Sequence, residues 1–87
     1  MDPGLAELWA GLMATYTTAT AAKIRADQRS GLIAAELDAD NIAAALTWLG
    51  ERLYYLAAIG VPPFDDRSTL VETLTSIWMK TLYGRTA

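Results

Sequence analysis

The residues able to do covalent chemistry in this chain are few. There is no Cys and no His among the 87 residues. That removes disulfides, thiol nucleophiles, the usual zinc sites and imidazole acid–base work. Ser30, Ser68 and Ser76 therefore have no imidazole to activate them, and the chain has no glycine-rich phosphate loop. The carboxylates fall mostly near expected helix ends or in connectors. Glu36, Asp38 and Asp40 form the tightest acidic group, but the Gly and distal Glu of a calcium loop are missing. Asp65 and Asp66 read most simply as helix caps. No nucleophile–base set can be assembled, so no catalytic residue, metal ligand or cofactor is expected, and the chain reads as a non-enzyme.

What remains is chemistry of contact. Seven basic residues against ten acidic ones leave a net charge of −3, and the basic residues are scattered. Direct phosphate-backbone binding needs a concentrated basic surface, so no nucleic-acid contact is expected from this segment. Hydrophobic residues make up 53% of the chain and mean hydropathy is +0.20, which is high for a small domain. The start, with Asp2, Pro3 and Glu7, lacks the pattern of a secretory leader. The longest apolar run, Leu53 to Phe64, is short of the roughly 20 residues needed to span a bilayer, and it contains Pro62 and Pro63. A cytoplasmic, non-membrane protein is expected.

Three helices must position these contacts, and no strand is expected. The predicted spans are about 3–29, 39–59 and 66–83, forming a single all-α module over residues 1–87. Helix one has Asp2 as a candidate cap, Pro3 at its first position, and apolar residues at three–four spacing: Leu5, Leu8, Trp9, Leu12, Met13, Tyr16, then Thr20 and Ile24. Gly31 is its stop. Helix two begins at Asp38 or Asp40 and ends at Gly60, where Pro62–Pro63 forbids continuation. Helix three begins near Asp65 or Asp66, with a possible capping box between Thr69 and Glu72, and closes at Gly84. Its stripe is Leu70, Leu74, Ile77, Trp78 and Thr81. The tight 61–64 turn makes helices two and three an antiparallel pair. Residues 31–37 form a longer connector, with Leu32 and Ile33 as its apolar patch.

Helix two carries the most information. Between Asn41 and Gly60 the only charges are Glu51 and Arg52. On a 3.6-residue wheel, Ile42, Leu46, Leu49, Leu53 and Leu56 share one face. Ala43, Thr47, Gly50 and Tyr54 share a second, and Trp48, Arg52, Tyr55 and Ile59 a third. A surface helix normally shows a charged face, and this one does not. Leu8 to Ala22 and Thr73 to Met79 are also uncharged. Ordinary core packing is one explanation. The other is that one face meets a twin subunit and another lines a cavity, because large apolar patches are rarely left exposed.

The order of these segments resembles a known family. Ala6-Glu7-Leu8-Trp9, Met13, Thr20-Ala21-Ala22 and the charged stretch Ile24 to Gly31 are similar to a late helix of TetR-family repressors, of the ethionamide-resistance type. Ala44-Ala45-Leu46 followed by Glu51-Arg52 is similar too, and the tail Leu70 to Gly84, with Ile77-Trp78 and Leu82-Tyr83-Gly84, resembles the family's final helix. The resemblance implies a C-terminal effector-binding and dimerisation domain for a small hydrophobic ligand. It implies a homodimer whose last two helices form a four-helix bundle with those of the partner. DNA would be bound only through an N-terminal domain absent from this chain.

Carried over by position, the resemblance implies a ligand-binding set of Trp9, Met13, Tyr16 and Thr20 on helix one, Thr47, Gly50 and Tyr54 on helix two, and Trp78 on helix three. The expected dimer face is the third face of helix two, Trp48, Arg52, Tyr55 and Ile59, with Leu74 and Ile77 on helix three. At Thr47 and Gly50 the family type carries ligand-bonding amides, so this pocket would be more apolar or differently anchored. The alternative reading is a stand-alone helical dimerisation or structural module that binds neither ligand nor DNA.

Overall fold

The computed structural model describes residues 3–84, and the candidate cap Asp2 lies outside them. The architecture is all-α: α1 (Pro3–Arg29), α2 (Ala39–Ala58) and α3 (Arg67–Tyr83). No strand occurs among the described residues.

The helix ends follow local chemistry. Asp38, rather than Asp40, caps α2: it is extended and its carboxylate accepts from the Asn41 N–H at 3.0 Å. Asp40 instead accepts from Arg25 at 2.9 Å. With both engaged, the Glu36, Asp38 and Asp40 group does not gather, and among the described residues no three metal-ligating side chains cluster. Asp66 caps α3, accepting from the Ser68 N–H at 3.1 Å, the Ser68 hydroxyl at 3.0 Å and the Thr69 hydroxyl at 3.2 Å. These bonds hold its carboxyl below the ordinary aspartate range, the Ser68 side chain contributing most. The Thr69–Glu72 capping box does not form, because Thr69 already sits inside the first turn of α3. Gly31 and Gly60 take φ of +79° and +77° just past α1 and α2, a conformation that costs other residues a steric clash.

The core runs between the C-terminal part of α1, the N-terminal part of α2 and the end of α3. Ala21, Ile24, Ile33, Ala39, Ala43, Leu46 and Leu82 form one buried cluster. Leu53, Leu70 and Leu74 form a second, with Leu49, Leu56 and Phe64 against it. Leu53 thus meets the start of α3 while Leu46 shares a cluster with its end, which makes α2 and α3 antiparallel. The connector is tied down: the Leu32 and Ile33 amides donate to the Asp27 carbonyl, and the Gln28 side chain donates to the carbonyls of Ala34 and Leu37 at 3.0 and 2.8 Å. Ile33 is thereby buried in the core, and Leu32 is left exposed.

The result is a slab. Its extents are 43 × 31 × 13 Å and its radius of gyration is 14.8 Å, against about 12 Å for a rounded chain of this length. A layer this thin leaves apolar surface uncovered. Leu5, Leu8 and Leu12 on α1, Trp48 and Tyr55 on α2, Ile59 at its C-cap, and Val71 and Met79 on α3 are all exposed. Leu74 is a correction to the expected dimer face. It is only 8% exposed and packs on Leu53 and Leu70 within the chain, because the α2–α3 turn brings that side of α3 against α2.

Candidate functional site

α1 and α2 pack closely near Ala21, Ile24 and Ala43. Further along, between the N-terminal half of α1 and the C-terminal half of α2, the space is not filled. A cavity of about 600 Å³ lies there, within the range of small-molecule sites.

The structure brings all eight residues of the expected ligand set to this one cavity. Trp9, Met13, Tyr16 and Thr20 come from α1 at spacings of four, three and four, the 3.6-residue repeat of one helix face. Thr47, Gly50 and Tyr54 face them from α2, and Trp78 enters from α3. Met13 is buried and forms part of the floor, Trp78 is half-buried, and Trp9, Tyr16 and Tyr54 are exposed walls. The site is therefore a groove open on one side. Glycine at position 50 widens it, since a Cβ there would meet nothing within 4 Å.

Three further residues line the groove: Leu46, Glu51 and Tyr55. Glu51 lies four residues after Thr47, and Tyr55 four after Glu51, so helical spacing from Thr47 is the sequence signal that could find them. Polar groups are sparse. The Thr47 hydroxyl donates to the Ala43 carbonyl at 2.7 Å, which directs its proton into the helix and leaves oxygen lone pairs for other partners. Glu51 is the one charged side chain of the lining.

Of the expected dimer face, Trp48, Arg52 and Tyr55 on α2 and Ile59 at its C-cap form a continuous exposed stripe. The Arg52 guanidinium lies 5.1 Å from the centre of the Tyr55 ring, a cation–π distance. Ile77 on α3 is exposed at 36%. Tyr55 belongs to both the stripe and the groove rim, so the two surfaces share an edge.

One polar network lies away from the groove. Asp27 on α1 is buried at 6% exposure, and its carboxylate accepts from the Tyr83 hydroxyl at 2.5 Å and from Lys23 at 3.1 Å. The Tyr83 hydrogen bond, then that of Lys23, holds the Asp27 carboxyl below its ordinary range, and the same bond pushes the Tyr83 phenol up. This link pins the end of α3, and with it the position of Trp78, against α1. Single-residue spacing gave no hint of a pair 56 positions apart.

The sequence is similar to those of known transcriptional regulators. The family model described as "Transcriptional regulator EthR, C-terminal domain" matches residues 1–84. The HTH-type transcriptional regulator EthR of Mycolicibacterium smegmatis is 34% identical over 83 residues, covering 95% of this chain and 38% of that protein. The EthR regulator of Mycobacterium tuberculosis is 32% identical over 80 residues, covering 92% of this chain and 37% of that protein. The chain thus spans a little over a third of the length of these relatives, which are named as regulators and not as enzymes. From the near-complete family match and these identities, the chain belongs to the family of C-terminal domains of EthR-type transcriptional regulators.

Proposed function

We propose that this chain is the effector-binding and dimerisation segment of a TetR-like transcriptional repressor, and that a small hydrophobic ligand occupies the groove between α1 and α2. The observation that carries the reading is the convergence of Trp9, Met13, Tyr16, Thr47, Gly50 and Trp78 on one cavity of about 600 Å³. A cleft of this size, mostly apolar with a few polar groups, is the usual form of a small-molecule site.

The flat shape supports self-association. The stripe of Trp48, Tyr55 and Ile59 carries Arg52 as its one charge and is exposed, a surface that a second copy would shield. In the intact cytoplasmic regulator, an N-terminal domain would read DNA. The ligand would act by binding one arrangement of the paired domains more tightly than the other, since only differential affinity shifts a conformational equilibrium.

The test is a thermal-shift screen of the chain with hydrophobic esters, amides and acyl chains, beside molar mass by light scattering. The reading expects a concentration-dependent rise in melting temperature with some of these compounds, and a dimer. No shift with any class, from a monomeric chain at micromolar concentration, would overturn it.

A further inference from the structure

Glu51 has a charge that the rest of the groove does not answer. It is half-buried on the lining. The ion pairs among the described residues are Lys23–Asp27 and Arg25–Asp40, neither of which reaches it. Arg52 follows it in sequence but lies about 100° further round α2, with its guanidinium over the Tyr55 ring. A carboxylate partly withdrawn from water favours a cationic partner.

A second acceptor lies one turn away. The Thr47 hydroxyl donates its hydrogen bond to the Ala43 carbonyl, so toward the groove it offers lone pairs. Residues four apart on a helix place their Cβ atoms about 6 Å from each other. Thr47 and Glu51 therefore present two acceptors side by side on an otherwise apolar wall that includes Trp78 and Tyr54. A ligand group with several N–H donors and a positive charge satisfies both, and a carboxylate is repelled.

We infer that the juxtaposition of Glu51 and Thr47 makes this groove selective for amphiphiles with a protonated amine at one end of an apolar body. The inference rests on the reading of the groove as a ligand site and specifies the ligand's chemistry. Glu51 sets the charge preference, and the aromatic walls hold the body.

Calorimetric titration of the full 87-residue chain at pH 7 with 4-phenylbutylamine, 4-phenylbutanol and 4-phenylbutyrate tests it. These probes share one body and differ in the end group. The expected order is amine tightest, alcohol about tenfold weaker, which is the factor supplied by about 1.4 kcal/mol, and carboxylate weakest. Glu51→Gln should bring the amine to the affinity of the alcohol and leave the alcohol unchanged. Glu51→Lys should reverse the order in favour of the carboxylate, an outcome that loss of folding cannot produce. If the amine binds the wild type no better than the alcohol, or keeps its advantage in Glu51→Gln, the charge preference is refuted while the groove stands. If none of the three probes binds, the ligand-site reading fails and the preference with it.

Discussion

Gly50 offers the sharpest single test of the groove. It lies in the interior of α2, where glycine costs about 0.8–1 kcal/mol relative to alanine through backbone entropy. That gain on substitution is lost where the new methyl group meets a close neighbour. Here a Cβ at position 50 would meet no heavy atom within 4 Å, because it points into the cavity. Gly50→Ala should therefore stabilise the chain by about 1 kcal/mol, and raise the melting temperature by about 4–8 °C at this domain size. Gly50→Leu should keep part of that gain and place a branched side chain in the groove, so that any ligand-induced shift shrinks. The assay is thermal unfolding followed by circular dichroism, with and without ligand, at matched protein concentration because association also moves the midpoint. A Gly50→Ala variant that is less stable than the wild type would refute the reasoning. It would mean that another chain or segment packs on the backbone there and that the groove is filled in solution.

Other perturbations have equally definite outcomes. Trp78→Ala and Tyr16→Ala should lower the ligand-induced thermal shift without changing the molar mass by light scattering, and an unchanged shift would reject their place in the lining. Ile59→Glu should convert a dimer to a monomer, since Ile59 is 56% exposed on the stripe and does not line the groove, unlike Tyr55. Unchanged mass would remove that face from the interface. Ile24→Ala should cost about 2–5 kcal/mol in denaturant unfolding, because the side chain is 1% exposed in the main cluster. The Asp27–Tyr83 bond needs an ionised carboxylate and a protonated phenol. With Asp27 held below 3.8 and Tyr83 raised above 10.0, its contribution is full between those values. It is lost as pH falls through the lowered aspartate value and as pH rises through the raised tyrosine value. Tyr83→Phe should therefore lower the denaturation midpoint at pH 7 and differ least from the wild type at the two extremes.

The helix ends were legible because they depend on neighbours in sequence. Asp38 and Asp66 cap through bonds that span two or three residues, and Gly31 and Gly60 need only their own positive φ. The grouping of Thr47, Gly50 and Tyr54 was legible for the same reason, since a 3.6-residue repeat places them on one side whatever lies opposite. The same periodicity could not say what each face would meet. The three–four pattern is continuous along α1, yet Ile24 is buried and Leu8 is 70% exposed, because the main core cluster gathers α2 and the end of α3 around Ala21 and Ile24 and does not reach the start of that helix.

Leu74 and Ile77 stood together as interface candidates, and the direction of the α2–α3 turn put Leu74 inside. Leu32 and Ile33 were equivalent until the Asp27 carbonyl captured both amides and sent one side chain into the core. Glu51 and Tyr55 joined the groove because the cavity opens on the side of α2 that also carries Thr47 and Gly50. Sequence alone therefore determined where the helices run and which residues share a side. Packing between residues far apart in the chain decided which sides are covered, where the cavity opens, and which charge faces it, because those contacts depend on the relative placement of whole helices.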